Sequence, residues 1–131
     1  MALLQWRPEY SLGVASVDFE HKQLIELINQ LAIEIDGPFN EDAIENFFGE
    51  LHAITSAHFA LEERAMVKAN YPEFSAHKAD HEILLEQIRE MMDQFCADPE
   101  KSREILKETL EQWFARHFSS FDARLHGALG V

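Results

Sequence analysis

Disulfide chemistry is excluded at the outset, because the chain carries a single cysteine, Cys96. One thiol forms no intramolecular bridge, and such sparse usage fits a reducing compartment. Basic residues are also scarce. Lysine and arginine number 11 against 24 aspartates and glutamates, a formal net charge of -13. A surface of that sign repels phosphate backbones and anionic headgroups, which argues against nucleic acid and membrane surfaces as partners. Long apolar runs are missing. No stretch approaches the roughly 18 apolar residues of a membrane span, so membrane insertion is not expected. Met1-Ala-Leu-Leu-Gln-Trp6 lacks the basic start and the apolar length of a signal peptide. A cytoplasmic protein is the expectation. Strand-like alternation, internal repeats and low-complexity segments are absent as well.

What remains is helical. The hydrophobic share of 47% in 131 residues suffices for one domain with a real core, and residues 1–131 are read as that single domain. Residues 1–17 contain Pro8 and Gly13 and show no helical period; they are read as an N-terminal arm that packs Trp6 and Tyr10. The spacing predicts four amphipathic helices over 18–131. Asp18 is expected to cap the first, whose seam is His21, Leu24, Ile28, Leu31 and Ile35, ended by Asp36-Gly37-Pro38. Asn40 should cap the second, with Ile44, Phe47, Leu51, Ile54, His58, Leu61 and Ala65 as its seam. A break follows at Tyr71-Pro72. The third is expected to take Pro72 into its first turn and to align Phe74, His77, His81, Leu84, Ile88, Met91 and Phe95. After Asp98-Pro99 the fourth aligns Leu106, Leu110, Trp113 and His117. Short connections between such helices argue for an all-α, up-down-up-down antiparallel four-helix bundle.

Five histidines occupy seam positions where leucine or isoleucine is usual. A buried imidazole without a partner is costly, so five in one small domain need an explanation. Axial arithmetic supplies one. In an antiparallel bundle the start of the first helix, the end of the second, the start of the third and the end of the fourth lie level. At 1.5 Å per residue, His21, His58, His77, His81 and His117 all fall in one layer at one end. Glu62, four residues after His58, joins them on its face. Asp122, five residues after His117, reaches the layer only if the last helix is distorted there, and a π-like turn or a break is expected. Five imidazoles and two carboxylates exceed the needs of one ion and fit two, bridged by the acids. Imidazole with carboxylate suits iron, although manganese and zinc stay open on this ground alone.

The motifs Val17-Asp-Phe-Glu-His21-Lys, His58-Phe-Ala-Leu-Glu62-Glu, Tyr71-Pro with His77-Lys-Ala-Asp-His81, and Trp113-Phe-Ala-Arg-His117 followed by Asp122 resemble the hemerythrin family, in particular its single-domain bacterial members. They span nearly the whole chain and fill all seven ligand positions. The resemblance implies a non-haem di-iron centre, bridged by carboxylates and an oxo or hydroxo group, that binds dioxygen reversibly for storage, transport or delivery. It implies His77, His81 and His117 on one iron, His21 and His58 on the other, Glu62 and Asp122 as bridges, and an open position on the second iron. One position departs from the family's habit: the residue after the tryptophan is commonly leucine, and here it is Phe114. A larger ring there should slow ligand exchange.

The dioxygen pocket is expected to consist of Leu24, Ile25, Ile28, Phe59, Trp113 and Phe114, all apolar. With no spare acid or base on the seam, such a lining suits a neutral diatomic and disfavours proton delivery, so a binding protein is expected rather than an enzyme. The alternatives are oxygen or redox sensing, with a separate partner expected to carry the output, and reduction of peroxide or nitric oxide at the same centre. A monomer is expected, with dioxygen as ligand and an oxygen-consuming enzyme as recipient. His52 and His126 are read as surface histidines, Met91-Met92 and Cys96 as filler at the far end. Glu63, Lys22, Lys78 and Arg116 are read as solvated.

Overall fold

The computed structural model describes residues 15–119 and 124–125. Within them four helices follow in order: α1 (Ala15–Asp36), α2 (Glu41–Ala69), α3 (Phe74–Ala97) and α4 (Pro99–Ser119). Each packs on its neighbours in sequence, and α4 closes on α1. Short connections force consecutive helices to run antiparallel, so the architecture is the expected up-down-up-down bundle.

The helix ends follow from local chemistry. Asn40 has extended backbone and its side chain accepts a hydrogen bond from the Ala43 amide, which caps α2 as expected. At the other end Asn70 takes the left-handed conformation with φ 51° and ψ 46°, and the Tyr71 amide bonds back to the Met66 carbonyl at 2.9 Å. Asp98 caps α4: its carboxylate accepts from the Lys101 amide and its carbonyl from that of Ser102. Two boundaries differ from expectation. Helix α1 begins at Ala15 rather than after Asp18, so the arm loses its last three residues to the helix. Asp18 then lies in the first turn, where a negative charge meets the exposed amides of the helix start. Helix α3 begins at Phe74 behind Glu73, leaving Pro72 in the connecting turn. The remainder of the arm, with Trp6 and Tyr10, lies outside the described residues.

The start of α4 is tied to the end of α1. Arg103 donates to the carbonyls of Ile35 and Gly37, and Lys107 Nζ lies 2.8 Å from the Asp36 carboxylate. These contacts satisfy carbonyls that a helix end leaves without partners. Hydrogen bonds to the Asp36 and Glu104 carboxylates, helped by their charge, hold the Lys107 pKa above its usual value.

The core runs along the bundle axis through Leu24, Ile28, Leu31, Leu51, Leu84, Ile88, Leu110 and Phe114, each at most 1% exposed. The expected seams hold on α1 and α3. On α2 the face differs: Phe48, Thr55, Phe59 and Met66 are buried, while Ile54 and Leu61 are 39% and 60% exposed. A straight helix turns 3.6 residues per turn, so a strict seven-residue pattern drifts about 20° per heptad off the buried face. Over 29 residues that drift carries Leu61 out and Met66 in. Among the described residues no helix is long and apolar enough to cross a membrane.

Candidate metal centre

His21 lies in the second turn of α1, His58 and Glu62 in the latter part of α2, and His77 and His81 in the first two turns of α3. All five side chains are at most 5% exposed. Antiparallel packing brings them to one end of the bundle, as the axial arithmetic requires. His117 sits in the last turn of α4, one turn beyond Trp113 and Phe114. Asp122, and with it the expected distortion of the last helix, lies outside the described residues, as does His126.

Glu62 is the hub. Its Oε2 lies 3.2 Å from His58 Nε2; its Oε1 lies 3.0 Å from His81 Nε2 and 3.6 Å from His77 Nε2. Each carboxylate oxygen thus faces a different imidazole group. The His21 and His58 rings meet edge to face with centroids 5.3 Å apart, which puts His21 on the His58 side. His77 and His81 meet the same way at 4.4 Å.

The donor chemistry fits cations. A carboxylate that is 4% exposed carries a desolvation cost of several kcal/mol unless positive charge approaches it closely. Glu62 Oε1 lies 3.0 Å from His81 Nε2 and 3.6 Å from His77 Nε2, within the roughly 4.2 Å that two bonds of about 2.1 Å to a shared ion allow at most. His81 Nε2 is buried and near Glu62 Oε1 without forming a hydrogen bond to it. The two atoms are close enough to act as electron-pair donors to one cation. Burial by itself lowers the His58 pKa, but hydrogen bonding and charge from Glu62, together with Glu20, outweigh it and push the imidazole above its ordinary value.

The expected pocket residues Leu24, Ile25, Ile28, Phe59, Trp113 and Phe114 are all buried. Phe114 stands edge-on to His21 at 6.5 Å, and Phe59 approaches His58 at 6.1 Å while stacking on His81 at 3.7 Å. Trp113 is fixed by its Nε1–H, which donates to the Leu84 carbonyl at 3.0 Å. Apolar rings therefore wall the histidine layer on its core side.

One expectation is corrected here, while Arg116 is exposed as expected. Glu63 is not simply solvated: its carboxylate accepts from His81 Nδ1 at 2.9 Å. Arg116 also has a partner, the buried Asp80 carboxylate at 2.7 Å. A third contact went unforeseen, a short hydrogen bond from His58 Nδ1 to Glu20 Oε2. Glu20, Glu63 and Asp80 each precede or follow a candidate ligand by one residue and reach across to the next helix. Helical spacing alone turns such residues about 100° off the seam, so periodicity files them with the surface. The available signal is adjacency to a ligand on the side where the neighbouring helix lies. Lys22 and Lys78 are exposed as expected; His52, half-buried, lines a groove of about 300 Å³ with Phe48, Ile88 and Arg89.

Comparison with known proteins gives a consistent picture. The model of the hemerythrin HHE cation binding domain matches residues 12–129. A bacteriohemerythrin of Stenotrophomonas maltophilia is 32% identical over 122 residues, covering 93% of this chain and 78% of the relative. One from Pseudomonas aeruginosa is 34% identical over 123 residues, covering 94% and 79%. One from Methylococcus capsulatus is 27% identical over 128 residues, covering 97% and 96%. The crystal structure of a hemerythrin variant with one leucine replaced by alanine superposes with a TM-score of 0.83 at 26% identity, covering all of both chains. A second structure of a leucine variant, with phenylalanine in its stead, superposes at 0.82.

Proposed function

This chain belongs to the hemerythrin HHE cation binding domain family, and from that premise we propose that it binds dioxygen reversibly at a non-haem di-iron centre. The observation that carries the reading is the two-sided environment of Glu62, whose Oε2 faces His58 and whose Oε1 faces His77 and His81. One carboxylate between two imidazole groups is a natural bridge between two cations. His77, His81 and His117 would hold one iron, His21 and His58 the other, and Glu62 and Asp122 would bridge them. Held there, two irons would supply the reversible two-electron chemistry that dioxygen binding needs.

The character of the surrounding residues supports binding over turnover. Ile25, Ile28, Trp113 and Phe114 are buried and apolar, and the Phe114 ring stands against His21. Glu20 and Glu63 hold His58 and His81 from outside that lining. An apolar lining disfavours proton delivery, and with it reduction of the gas beyond the reversible stage. The ligand set, the iron identity and the carrier role are one reading, supported by family, donor chemistry and lining together.

An optical titration tests it. The reduced, iron-loaded protein should be colourless, gain a visible charge-transfer band in air and lose it under vacuum, with two irons per chain. Sustained consumption of a reductant with dioxygen, peroxide or nitric oxide would instead establish an enzyme. No spectral response to air would remove dioxygen as the ligand.

A further inference from the structure

Two carboxylates outside the ligand set grip the outer nitrogens of two candidate ligands. Glu20 on α1 accepts from His58 Nδ1 on α2, and Glu63 on α2 accepts from His81 Nδ1 on α3 at 2.9 Å. The geometry is paired. Glu20 follows in the helix immediately before His21, and Glu63 immediately after Glu62, so each anchor shares a turn with one ligand and holds another across a helix interface. The two gripped imidazoles face opposite oxygens of Glu62, His58 toward Oε2 and His81 toward Oε1. Each side of the bridging carboxylate therefore has one brace.

We propose that Glu20 and Glu63 are positioning residues for the metal centre, one for each cation, an inference that rests on the di-iron reading above. A neutral imidazole carries one N–H. Donating it from Nδ1 to a carboxylate fixes the tautomer, leaves the Nε2 lone pair facing the site, and locks the ring's rotation. The negative charge behind the ring also makes Nε2 a stronger donor to a cation. Both carboxylates keep contact with solvent, with side chains 36% and 26% exposed, so their placement avoids the desolvation borne by the buried Glu62. A purely structural role as interhelical ties would instead show up in the stability of the metal-free bundle and nowhere else.

The two roles separate in one set of measurements. Glu20→Gln and Glu63→Gln keep a carbonyl oxygen to accept from Nδ1 but remove the charge; Glu20→Ala and Glu63→Ala remove both. Iron(II) and cobalt(II) affinities are read anaerobically by competition with a chromophoric chelator, cobalt(II) coordination by its visible bands, and fold integrity by thermal melting of the metal-free proteins. Loss of such an outer partner typically costs 10–100-fold in metal affinity. That loss is expected for each alanine variant, with partial rescue in the glutamine variant. The cobalt bands should change differently in the Glu20 and Glu63 series, because each affects a different ion. Affinities and spectra equal to those of the unmutated chain, with only the metal-free melting point lowered, would overturn the proposal. If the unmutated chain binds cobalt(II) but takes fewer than two irons or ignores air, the di-iron reading fails, while the cobalt affinities of the variants still decide the bracing role.

Discussion

Phe59 lies flat on His81, with ring centroids 3.7 Å apart and planes within 4° of parallel. The imidazole is thereby held from three directions: Glu63 at Nδ1, Glu62 opposite Nε2, and a phenyl face along one side. Phe59 is 1% exposed, so its removal opens a cavity beside a candidate ligand. Phe59→Ala should cost about 3–5 kcal/mol of stability. The check is urea denaturation of the metal-free protein, with a metal titration to read the loosened imidazole. An unchanged denaturation midpoint would mean that the ring is not part of the support.

Asp80 and Arg116 form an ion pair with one buried and one half-exposed partner, at 2.7 Å. Removing the guanidinium leaves a buried carboxylate short of its partner. Arg116→Ala should therefore destabilise by about 1–3 kcal/mol, and Asp80→Asn in the same background should recover part of that loss. A double-mutant cycle by chemical denaturation measures the coupling. Additive single effects would show that the pair contributes nothing beyond its separate members.

Asn70 ends α2 with φ 51°, a conformation that glycine and asparagine adopt readily. Asn70→Gly should leave stability unchanged or slightly raised, whereas Asn70→Val should cost roughly 1–2 kcal/mol. Thermal melting distinguishes them. Equal melting points for the two variants would contradict the backbone argument.

Phe114 is fully buried and edge-on to His21, on the side where an open coordination position is expected. Phe114→Leu should enlarge that space and speed dioxygen release, read by stopped-flow mixing with an oxygen scavenger. Identical release rates would assign the ring to core packing alone.

Metal removal should weaken the fold itself. A ligand bound only by the native state, present at about 1,000 times its dissociation constant, contributes roughly 4 kcal/mol. Chelation is therefore expected to lower the melting temperature, and restored iron(II) to raise it again. A melting temperature indifferent to chelator would mean that the histidine layer is stable without cations.

Much of this was legible from the sequence because helix periodicity is a local property. The number of helices, the caps at Asn40 and Asp98, and the seams of α1 and α3 follow from residue spacing and turn chemistry. So does the histidine layer, since antiparallel packing converts distance from a helix end into height along the bundle. The face of α2 was less legible, because a seven-residue pattern and a 3.6-residue helix diverge over eight turns, and Ile54 and Leu61 end outside.

What only the tertiary structure decided is who meets whom between helices. The sequence alone determines that His58, Glu62, His77 and His81 share a level. It does not determine that Glu62 divides them between its two oxygens, that Glu20 and Glu63 hold two of them from outside, or that Arg116 turns to Asp80. The physical reason is rotational. Spacing along a chain fixes height and face on one helix, while contacts across an interface depend on how each helix is turned toward its neighbour. That turn is set by the packing of the whole core.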